Sequence, residues 1–574
     1  MKKTFCIFLF AISYAGASRI QPRLSPDAKS VDPNSSVQVV IQWKIRASQA
    51  RQKKISDLKG TVINEFSNMN SGVYRLPGTA LATLANDVDV LYVSPDRKVK
   101  HKLDYSAAAV NAQAAWGAGL TGSGIGVAIL DSGIVANPNL ANVMYSQDFT
   151  GARGVHVGVD EFGHGEHVAG IVASTASSES VAGTTYTHIF KGIAPGVSLI
   201  NLKVLDANGA GTDSGIIAAI DTAISLKQTY NIRVMNLSLG RPVFESYAVD
   251  PLCQAVEAAW KAGIVVVVAA GNDGRDNSFG ENGYGTIGAP GNDPYVITVG
   301  AMKTEGTDTR TDDLIASYSS KGPTQVDHIV KPDILAPGNR VVSLNASRTA
   351  TLFGGYGSTN CVRNSYYIQM KAAGTCSGDF FILSGTSMAA PVVSGAVADI
   401  LQAHPNLTPD QVKILLMQTA SKFFPVSSTV VDSTSKQSFT SYYDIFTVGA
   451  GYLDLGAALA GVANVPTSGT ALSPVANYSA SSGAVSLAFD PSSAYANQSV
   501  WGAQSVWGAQ SVWGASVLTS ADQAIWGAQS VWGASSANST QSVWGAQAIW
   551  GAQSVWGAGS ATSETLPISI AGEQ

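Results

Sequence analysis

The sequence predicts an α/β protein: a central parallel sheet with helices on both faces, preceded by a small α+β domain and followed by a β-type repeat tail. Three observations predict this architecture. Apolar strands alternate with helical patterns through the middle of the chain, a basic stretch near its start carries short elements of its own, and a six-residue repeat occupies its end. With 574 residues, the chain is long enough for three or four domains.

The composition excludes two broad classes of protein. Lysine and arginine number 35 against 40 aspartate and glutamate, a net charge of −5, and only 13% of the residues are charged. A chain this poor in basic residues lacks the electrostatic footprint of a nucleic-acid-binding protein, so we expect no nucleic-acid partner. A hydrophobic content of 45% excludes a mostly disordered chain.

Residues 1–17 have the pattern of an export signal. Lys2 and Lys3 precede an apolar run over 5–14, and the small residues 15–17 supply a cleavage site. The run is far shorter than the roughly 20 residues that span a bilayer. We therefore expect a secreted, extracellular protein without a transmembrane anchor. A periplasmic or cell-surface location stays open, and a buried core helix is the alternative to a signal.

The stretch over 18–105 predicts a separate small domain. From residue 19 to 105 there are 14 Lys+Arg and 8 Asp+Glu, a net +6, whereas residues 106–574 carry 19 and 32, a net −13. These opposite charges favour docking of the two parts, with independent domains as the alternative. The β-α-β-β-α-β order of the patterns indicates a ferredoxin-like domain. The predicted elements are strands over 37–43, 60–66, 72–76 and 88–95 and helices over 48–58 and 79–86.

Four short motifs in the middle of the chain place polar residues where apolar strands end or helices begin. Asp131 follows an apolar strand over 124–130, and Asn272 follows another over 265–268. His164 and Ser387 each stand between a glycine turn and an apolar helix. Taken singly, such residues are more often structural than catalytic. The motifs are DSG at 131–133, GHGEHVAG at 163–170, AAGN at 269–272 and GTSMAAP at 385–391.

Together the four residue types supply what acyl transfer needs. A serine hydroxyl is a poor nucleophile until an imidazole takes its proton. The imidazole in turn needs a carboxylate that fixes its tautomer and stabilises its cation. The oxyanion that forms needs preset donors, which an asparagine side chain and the backbone N–H of the serine can provide. Sites at the carboxyl ends of parallel strands fit this set.

Residues from about 122 to 455 resemble a subtilisin-like serine protease (subtilase), with the catalytic residues in that family's chain order. The resemblance implies a subtilisin-like protease domain over 106–466, with serine endopeptidase activity on protein or peptide substrates. It also implies that Ser387 is the nucleophile, that His164 is general base and then acid, and that Asp131 orients the imidazole. Asn272 would be the side-chain donor to the oxyanion.

The same resemblance identifies residues 18–105 as an amino-terminal propeptide. Such a segment acts as an intramolecular chaperone and inhibitor, so the protein would be made as an autoprocessed zymogen. The end of the segment, roughly residues 101–108, would lie in the active-site cleft and be cut there.

Two stretches of small residues resemble the family's substrate-binding edges, where an extended peptide pairs by backbone hydrogen bonds. An uncharged wall favours large apolar or aromatic side chains before the cut, whereas Arg241 at the rim would favour acidic ones. An ordinary surface loop is the third interpretation. The two edges are Gly209, Ala210 and Gly211, and Ser238, Leu239 and Gly240. The pocket walls are Gly240, Ala269, Ala270 and Gly271.

Glu166 departs from the family pattern, in which a threonine usually stands there. A glutamate in the first turn of a helix complements the helix dipole, which is one interpretation. The other is that its carboxylate lies near the imidazole and favours the charged form of His164, which would move the onset of activity to higher pH.

The positions of the cysteines bear on disulfide formation. Cys361 and Cys376 lie 376 − 361 = 15 residues apart, and export favours a disulfide between them, with two free thiols as the alternative. This bond would pin an insertion over 345–379 that either flanks the leaving-group side of the cleft or decorates the surface. Cys253 is expected to be a small buried hydrophobic residue.

The chemistry requires no cofactor, but the family resemblance implies structural calcium. No EF-hand pattern occurs, so the ligands of any metal stay unassigned. The acidic loop candidates are Asp160, Asp206, Asp213 and Asp293.

The end of the chain predicts a Ser/Ala-rich linker over 467–498, a repeat region over 499–558 and a tail over 559–574. The sequence SVWGA occurs six times and AIWGA twice, mostly at a spacing of six residues. An even spacing places every tryptophan on one face of a strand, whereas a helix would scatter them. We expect the tail to self-associate or stack internally. Binding of cell-surface material such as glycans and a role in sorting are the alternatives.

These observations predict a secreted serine endopeptidase made as a zymogen. The alternative is a weakly active or inactive protease-fold scaffold whose repeat tail is an adhesive or structural module. The complete set of Asp131, His164, Asn272 and Ser387 favours the enzyme.

Overall fold

The structure is a computed structural model that describes residues 23–494 and 572–573, with gaps. The predicted export signal (1–17) and the repeat region (499–558) lie outside the described residues, as does most of the tail over 559–574. The gaps are residues 26–27, 29–30, 34, 46, 67–69, 96–101, 104, 152–157, 180–183, 185, 278–281, 369–374, 433–434 and 480–483.

The chain divides into two compact units, Met1–Lys100 and His101–Gln574. The first unit has the predicted order of elements, with an antiparallel sheet in the order β2-β3-β1-β4. Alternate residues Val39, Ile41 and Trp43 of β1 are buried, as expected for a strand with one face on a core. The elements are β1 (Ser36–Trp43), α1 (Ser48–Asp57), β2 (Thr61–Phe66), β3 (Ser71–Pro77), α2 (Ala80–Asn86) and β4 (Val90–Pro95).

The second unit is built on an eight-stranded, mostly parallel sheet with the order β13-β12-β11-β10-β6-β9-β7, in which β14 also pairs with β12. The predicted parallel sheet thus carries one antiparallel strand, β13, at its edge. Its strands are β6 (Gly126–Asp131), β7 (Val143–Asp148), β9 (Ser198–Lys203), β10 (Ile232–Leu237), β11 (Val265–Ala269), β12 (Ile297–Lys303), β13 (Leu314–Ile315) and β14 (Ile334–Pro337).

Helices cover this sheet on both faces. As a result, every residue of the central strands β6 and β11 is buried. Helix α5 packs against α10, and α6 packs against α7. The helices are α3 (Tyr105–Ala109), α4 (Ala112–Gly117), α5 (Gly165–Ala173), α6 (Asp213–Tyr230), α7 (Pro251–Lys261), α8 (Thr351–Tyr356), α9 (Asn364–Tyr367), α10 (Thr386–Ala403), α11 (Pro409–Thr419), α12 (Ile445–Val448) and α13 (Leu455–Gly461), with 3-10 turns at Ser177–Glu179 and Val462–Asn464.

Small sheets border the main one. Cys361 and Cys376 form the predicted disulfide, which joins β16 to β17, and Cys253 is a buried free thiol. The remaining strands are β5 (Lys102–Leu103), β8 (His188–Ile189), β15 (Val341–Leu344), β16 (Cys361–Arg363), β17 (Cys376–Leu383), β18 (Ser427–Val431), β19 (Ser438–Tyr442), β20 (Val475–Ser479) and β21 (Ala484–Ala488). They pair as β15-β17-β16, β18-β19, β20-β21 and β5-β8.

The structure corrects the linker predicted over 467–498. Up to residue 494 this segment packs into the second unit and contains the antiparallel pair β20-β21. Ala471, Ala476 and Ala494 belong to the core of the unit, because small side chains fit where the backbone lies close to the core. Low charge and many small residues therefore indicated a close-packed segment rather than an exposed linker.

The segment expected in the cleft, roughly residues 101–108, is helical from Tyr105 onward. Residues Tyr105–Ala109 form helix α3, and Ala107 and Ala109 belong to the core of the second unit. Consecutive alanines favour a helix and lose little side-chain entropy on burial.

No helix among the described residues is long and apolar enough to cross a bilayer.

A buried cluster of charges connects the segment after residue 466 to the main sheet. Both carboxylate oxygens of Asp333 are paired, Oδ2 with Lys331 Nζ at 2.7 Å and Oδ1 with Lys413 Nζ at 3.2 Å, and all three side chains are fully buried. Ser473 donates to the same carboxylate. Burial alone would raise the pKa of Asp333, but the two ammonium groups outweigh it and hold that pKa below its usual value.

We expect Asp333→Ala to destabilise the protein by about 3–5 kcal/mol, because it leaves two buried ammonium groups without their counter-ion. The measurement is chemical unfolding, with Glu305→Gln as control, since Glu305 is partly exposed and pairs with Lys303 at 3.2 Å. Equal stability losses for the two variants would contradict this assignment.

Candidate active site

The register of the parallel strands brings three of the predicted site segments to one edge of the sheet. Asp131 ends β6, Ser238 follows β10, and Ala269 ends β11. The residues just before them, Leu130, Leu237 and Val268, pair with one another across the neighbouring strands. The three segments therefore lie side by side at the carboxyl ends of the strands.

Asp131 and His164 are in direct contact. Nδ1 of His164 lies 2.7 Å from Oδ1 of Asp131, and both side chains are almost completely buried. The backbone N–H of Ser132 donates to the same oxygen at 2.7 Å. A carboxylate accepts, so the imidazole holds its proton on Nδ1 and presents Nε2 as a base.

The turn that carries His164 is built around the buried carboxylate of Asp160. This carboxylate accepts one hydroxyl and three backbone N–H groups, a set that fixes the entry to α5 directly after His164. The sequence analysis missed this role, although an aspartate three residues before Gly163 is a signal of such a turn. The donors are Ser132 Oγ (2.8 Å), Phe162 N (3.1 Å), Gly163 N (2.7 Å) and Glu166 N (2.8 Å).

Ser387 lies in the first turn of α10 and is tied to Ser238 in both directions. Its Oγ donates to the carbonyl oxygen of Ser238 at 3.0 Å, and Ser238 Oγ donates to the carbonyl oxygen of Ser387 at 2.8 Å. The second bond is available because Pro391, four residues on, has no N–H to fill that carbonyl. Ser238 was predicted only as a substrate edge, so its hydroxyl is a further structural contact of the site.

The starts of α5 and α10 meet at the same edge of the sheet. His164 precedes α5 and contacts the end of β6, while Ser387 contacts the residue after β10, the strand that pairs with β6. The two helices also pack against each other. The fold therefore gathers Asp131, His164 and Ser387, which are far apart in sequence, into one region.

Asn272 is fixed beside Ser387 through Thr386. Its Oδ1 accepts from the backbone N–H of Thr386 at 3.0 Å, and Thr386 Oγ1 accepts from the backbone N–H of Gly271 at 3.1 Å. A backbone N–H only donates, so the carboxamide oxygen must face Thr386 and the NH2 group is the donor end. Thr386 was not singled out from the sequence, although its place inside the GTSMAAP motif was visible.

Comparisons with known proteins show the family of the chain. Residues 122–444 match the Subtilase family. The chain is 36% identical over 382 residues to serine protease AprX of Bacillus subtilis, covering 65% of this chain and 78% of the relative. It is 31% identical over 424 residues to subtilisin E of the same species, covering 73% of this chain and 94% of the relative. The chain belongs to the subtilase family. It is a serine endopeptidase.

Two further similarities were found. An extracellular serine proteinase of a Thermus strain is 31% identical over 400 residues, covering 65% of this chain and 76% of the relative. The crystal structure of fervidolysin from Fervidobacterium pennivorans, a keratinolytic enzyme related to subtilisin, matches with a TM-score of 0.46 and 23% identity, covering 76% of this chain and 62% of that one.

The predicted substrate edges of this subtilase fall on loops that follow neighbouring strands. Residues 209–211 follow β9 and residues 238–240 follow β10, the two strands that flank β6. A Cβ at Gly240 would lie 3.2 Å from the carbonyl oxygen of Ala289, so a larger residue there would require a small shift of the backbone. Gly209 has φ +76°, a conformation that few other residues adopt.

Arg241 does not reach a pocket rim as a free charge. Its guanidinium is bound by Asp213 at 2.9 Å and by Asp250 at 2.8 Å, and its side chain is 3% exposed. Asp250 also caps α7 by accepting from the N–H of Leu252. Because both carboxylates neutralise Arg241, the argument for an acidic preference at the cut no longer holds.

Glu166 contacts a loop beside the active site. Its carboxylate accepts from the backbone N–H of Val135 at 2.9 Å and from Nδ2 of Asn137 at 3.0 Å. The residue lies in the first turn of α5, as the dipole interpretation requires. Complete burial raises the pKa of Glu166 to about 8. The predicted effect of Glu166 on the pH of activity stays a prediction.

The other histidine of the motif is structural. Nε2 of His167 lies 3.2 Å from the carbonyl oxygens of Val341 and Phe381, so it donates to backbone acceptors. Burial lowers the pKa of His167 to about 3, so the side chain stays neutral.

The acidic calcium candidates have other partners. Asp160 holds the turn before His164, Asp213 pairs with Arg241, and Asp206 accepts from backbone N–H groups of its own loop. Asp293 is buried and accepts from the N–H of Tyr295. Nowhere in the described ranges do three or more His, Cys, Asp or Glu residues group in a way that would hold a metal ion. These residues do not fit as a calcium site, and no ligands are assigned.

We expect Glu166→Gln to remove a pH dependence of stability. With a pKa near 8 when folded and 4.5 when unfolded, Glu166 binds a proton only in the folded state between these values, so stability falls as pH rises from about 4.5 to 8. The glutamine variant lacks this loss, so the melting temperature of the variant minus that of the wild type should increase as the pH rises over this range.

The measurement is thermal unfolding from pH 5 to 8.5 in a Ser387→Ala background, which prevents autolysis. Glu161→Gln is the control, because that side chain is 59% exposed. Parallel curves for Glu166→Gln and its parent would rule out the assignment.

Proposed function

We propose that this subtilase cleaves peptide bonds with a triad of Ser387, His164 and Asp131. The observation that carries the proposal is the buried 2.7 Å contact between His164 Nδ1 and Asp131 Oδ1, at the sheet edge where Ser387 begins its helix. That contact fixes the tautomer in which Nε2 accepts a proton, and it stabilises the imidazolium that results.

The proposed reaction requires the nucleophile to change its hydrogen-bond partner. Ser387 Oγ donates to the Ser238 carbonyl, so the hydroxyl would have to turn from that oxygen to Nε2 of His164 by a change of χ1. Catalytic hydrogen bonds often form only once substrate is bound. Substrate entry would therefore exchange the bond to Ser238 for the bond to the imidazole.

The reaction then follows acyl transfer in two halves. The Ser387 proton passes to Nε2 as Oγ bonds to the scissile carbonyl carbon, and the imidazolium returns this proton to the amine as the C–N bond breaks. Water gives a proton to the same nitrogen while it attacks the acyl carbon. The Ser387 oxygen leaves and recovers the proton, which releases the new carboxylate.

Asn272 is the proposed side-chain donor to the oxyanion. Its carboxamide oxygen is held by the Thr386 N–H, which directs the NH2 group to the same neighbourhood as the backbone N–H of Ser387. The amino end of α10 adds positive potential where negative charge develops. Donors fixed by neighbouring backbone groups need no reorganisation during the reaction.

Substrate would bind as an extended strand between residues 209–211 and 238–240. Small residues and glycine positions on both loops support close approach of a peptide backbone. Residues 269–271 and Gly240 give the wall of the adjoining pocket no charge, and the neighbouring Arg241 is neutralised. We therefore propose a preference for large apolar or aromatic residues before the cut.

The enzyme is further proposed to be a secreted zymogen. Residues 1–17 have the pattern of a signal peptide, and one relative is named an extracellular proteinase. Residues 18–105, most of which fall in the first compact unit, are the proposed propeptide and intramolecular inhibitor. The repeat over 499–558 is proposed to self-associate or to bind cell-surface material. Structural calcium stays a proposal from the family alone.

Ser387→Ala should abolish labelling by a fluorophosphonate probe, which reacts with activated serines, and should leave the precursor uncut. His164→Ala should lower labelling strongly because the hydroxyl then keeps its proton. Ser394→Ala, on the same helix, is the matched control and should be labelled normally. Full labelling of Ser387→Ala would refute the assignment of the nucleophile.

Asn272→Ala should lower kcat by about 10²–10³ with little change in KM, a magnitude carried over from removal of this donor in a subtilisin. Steady-state kinetics on a peptide amide provide the measurement. The intact fold of the variant is checked by its melting temperature. A change confined to KM would instead make Asn272 a ground-state binding residue.

A peptide-library cleavage profile should show large apolar or aromatic residues before the cut and no enrichment of Asp or Glu. The physical reason is that Asp213 and Asp250 neutralise the nearby guanidinium of Arg241. Enrichment of acidic residues would show that Arg241 faces the substrate during turnover.

A further inference from the structure

Two residues close to the end of the sequence, Gly572 and Glu573, are held by the second unit. The side chain of Glu573 is fully buried and pairs with Arg275 at 2.9 Å. Its Oε1 also accepts from the backbone N–H of Ser317 at 2.6 Å and from the Ser317 hydroxyl. The carboxylate thus has one charged and two neutral donors.

The backbone of the segment is bound as well. The N–H of Glu573 donates to Oδ1 of Asn339 at 2.7 Å, and Nδ2 of Asn339 donates to the carbonyl oxygen of Glu573 at 2.9 Å. One carboxamide therefore pairs with both backbone groups of the same residue. Such two-point pairing fixes the direction of the bound chain as well as its position.

The residue before Glu573 has to be glycine. Gly572 has φ +57°, and a Cβ at this position would overlap with Ser384 Oγ and lie 2.9 Å from Oδ1 of Asn339. Both the conformation and the close approach exclude larger residues. The contacts therefore fit a Gly-Glu dipeptide by shape, charge and backbone pairing together.

This site adjoins both catalytic loops without containing a catalytic residue. Arg275 lies three residues after Asn272. Asn339 follows Gly338, whose carbonyl oxygen accepts from the N–H of Gly385 at 2.8 Å, two residues before Ser387. The bound segment thus bridges the loop of the oxyanion donor and the residues that contact the loop of the nucleophile.

The segment also closes a long connection. Ser493 and Ala494 are buried in the second unit, and the N–H of Ala494 donates to the carbonyl oxygen of Thr470 at 2.9 Å. Residues 495–571, which include the whole tryptophan repeat, therefore run between two points that the same unit holds.

We propose that Arg275, Ser317 and Asn339 form a binding site for an acidic Gly-Glu peptide segment, and that Gly572–Glu573 of the same chain is its ligand. The interaction attaches the repeat region to the protease unit at both of its ends. It also supports the two catalytic loops, so cleavage anywhere in 495–571 followed by loss of the segment would weaken that support.

The test measures peptide binding in a Ser387→Ala background, where the peptide is not cut and the result does not depend on catalysis. A variant that ends at Ala571 should bind a fluorescein-labelled peptide with the sequence of residues 567–574 saturably, whereas the full chain should bind it at least tenfold more weakly because its own segment fills the site. Equal binding by the two proteins would overturn the proposal.

Matched peptides and variants test the chemistry of the site. Replacing the peptide's Glu by Gln, or its Gly by Ala, should weaken binding to the shortened variant at least tenfold, and Arg275→Gln in the protein should do the same. Asp432→Asn is the control, because Asp432 pairs with the other terminal nitrogen of Arg275, Nη1, at 3.0 Å and its loss should change binding less than threefold. Indifference to the peptide's Glu would overturn the proposal.

Two further measurements keep the test decisive. Should the shortened variant not fold, full-length Gly572→Ala, in which the segment is displaced but present, should bind the labelled peptide. Sedimentation should give the same oligomeric state for the full chain and for the chain without residues 572–574. A dimer that disappears on removal of residues 572–574 would mean that a second copy supplies the segment, which contradicts binding within one chain.

Discussion

The active site depends on the parallel register of three neighbouring strands. Because β6, β10 and β11 pair without a shift at their carboxyl ends, the residues that follow them emerge side by side. Asp131 ends the first strand, Ser238 follows the second, and Asn272 lies on the loop after the third. A slip of one residue in β10 would turn Ser238 away from Ser387 and remove both of its hydrogen bonds.

Backbone groups that have no partner within the helix form the hydrogen bonds that hold the reactive groups in place. Pro391 removes a helical N–H, and Ser238 fills the carbonyl that this leaves on Ser387. Thr386 likewise gives its N–H, which has no helical acceptor in the first turn, to Asn272. Buried polar groups need partners, so each irregularity of α10 fixes the position of a group needed for acyl transfer.

Much of the fold was predictable because short-range patterns determined it. The strand before Asp131 and the helix after Ser387 follow from apolar runs and flanking glycines, and the element order of the first unit follows from periodicity. The bond from Ser132 to Asp160 and the neutralisation of Arg241 were not predictable, since each depends on partners brought together only by tertiary packing. The packed segment after residue 466 was misjudged because small polar residues look alike in linkers and in close-packed edges.

The segment around Glu573 extends the same logic to the end of the sequence. No periodicity marks Gly572–Glu573, and its partners Arg275 and Asn339 come from two separate loops of the second unit, so only the folded chain defines the site. A buried carboxylate needs paired donors, and here these donors lie next to the loops of Asn272 and Ser387. In this proposal, one interaction both attaches the repeat region and supports the catalytic loops. Loss of the attachment should therefore weaken the support of the loops.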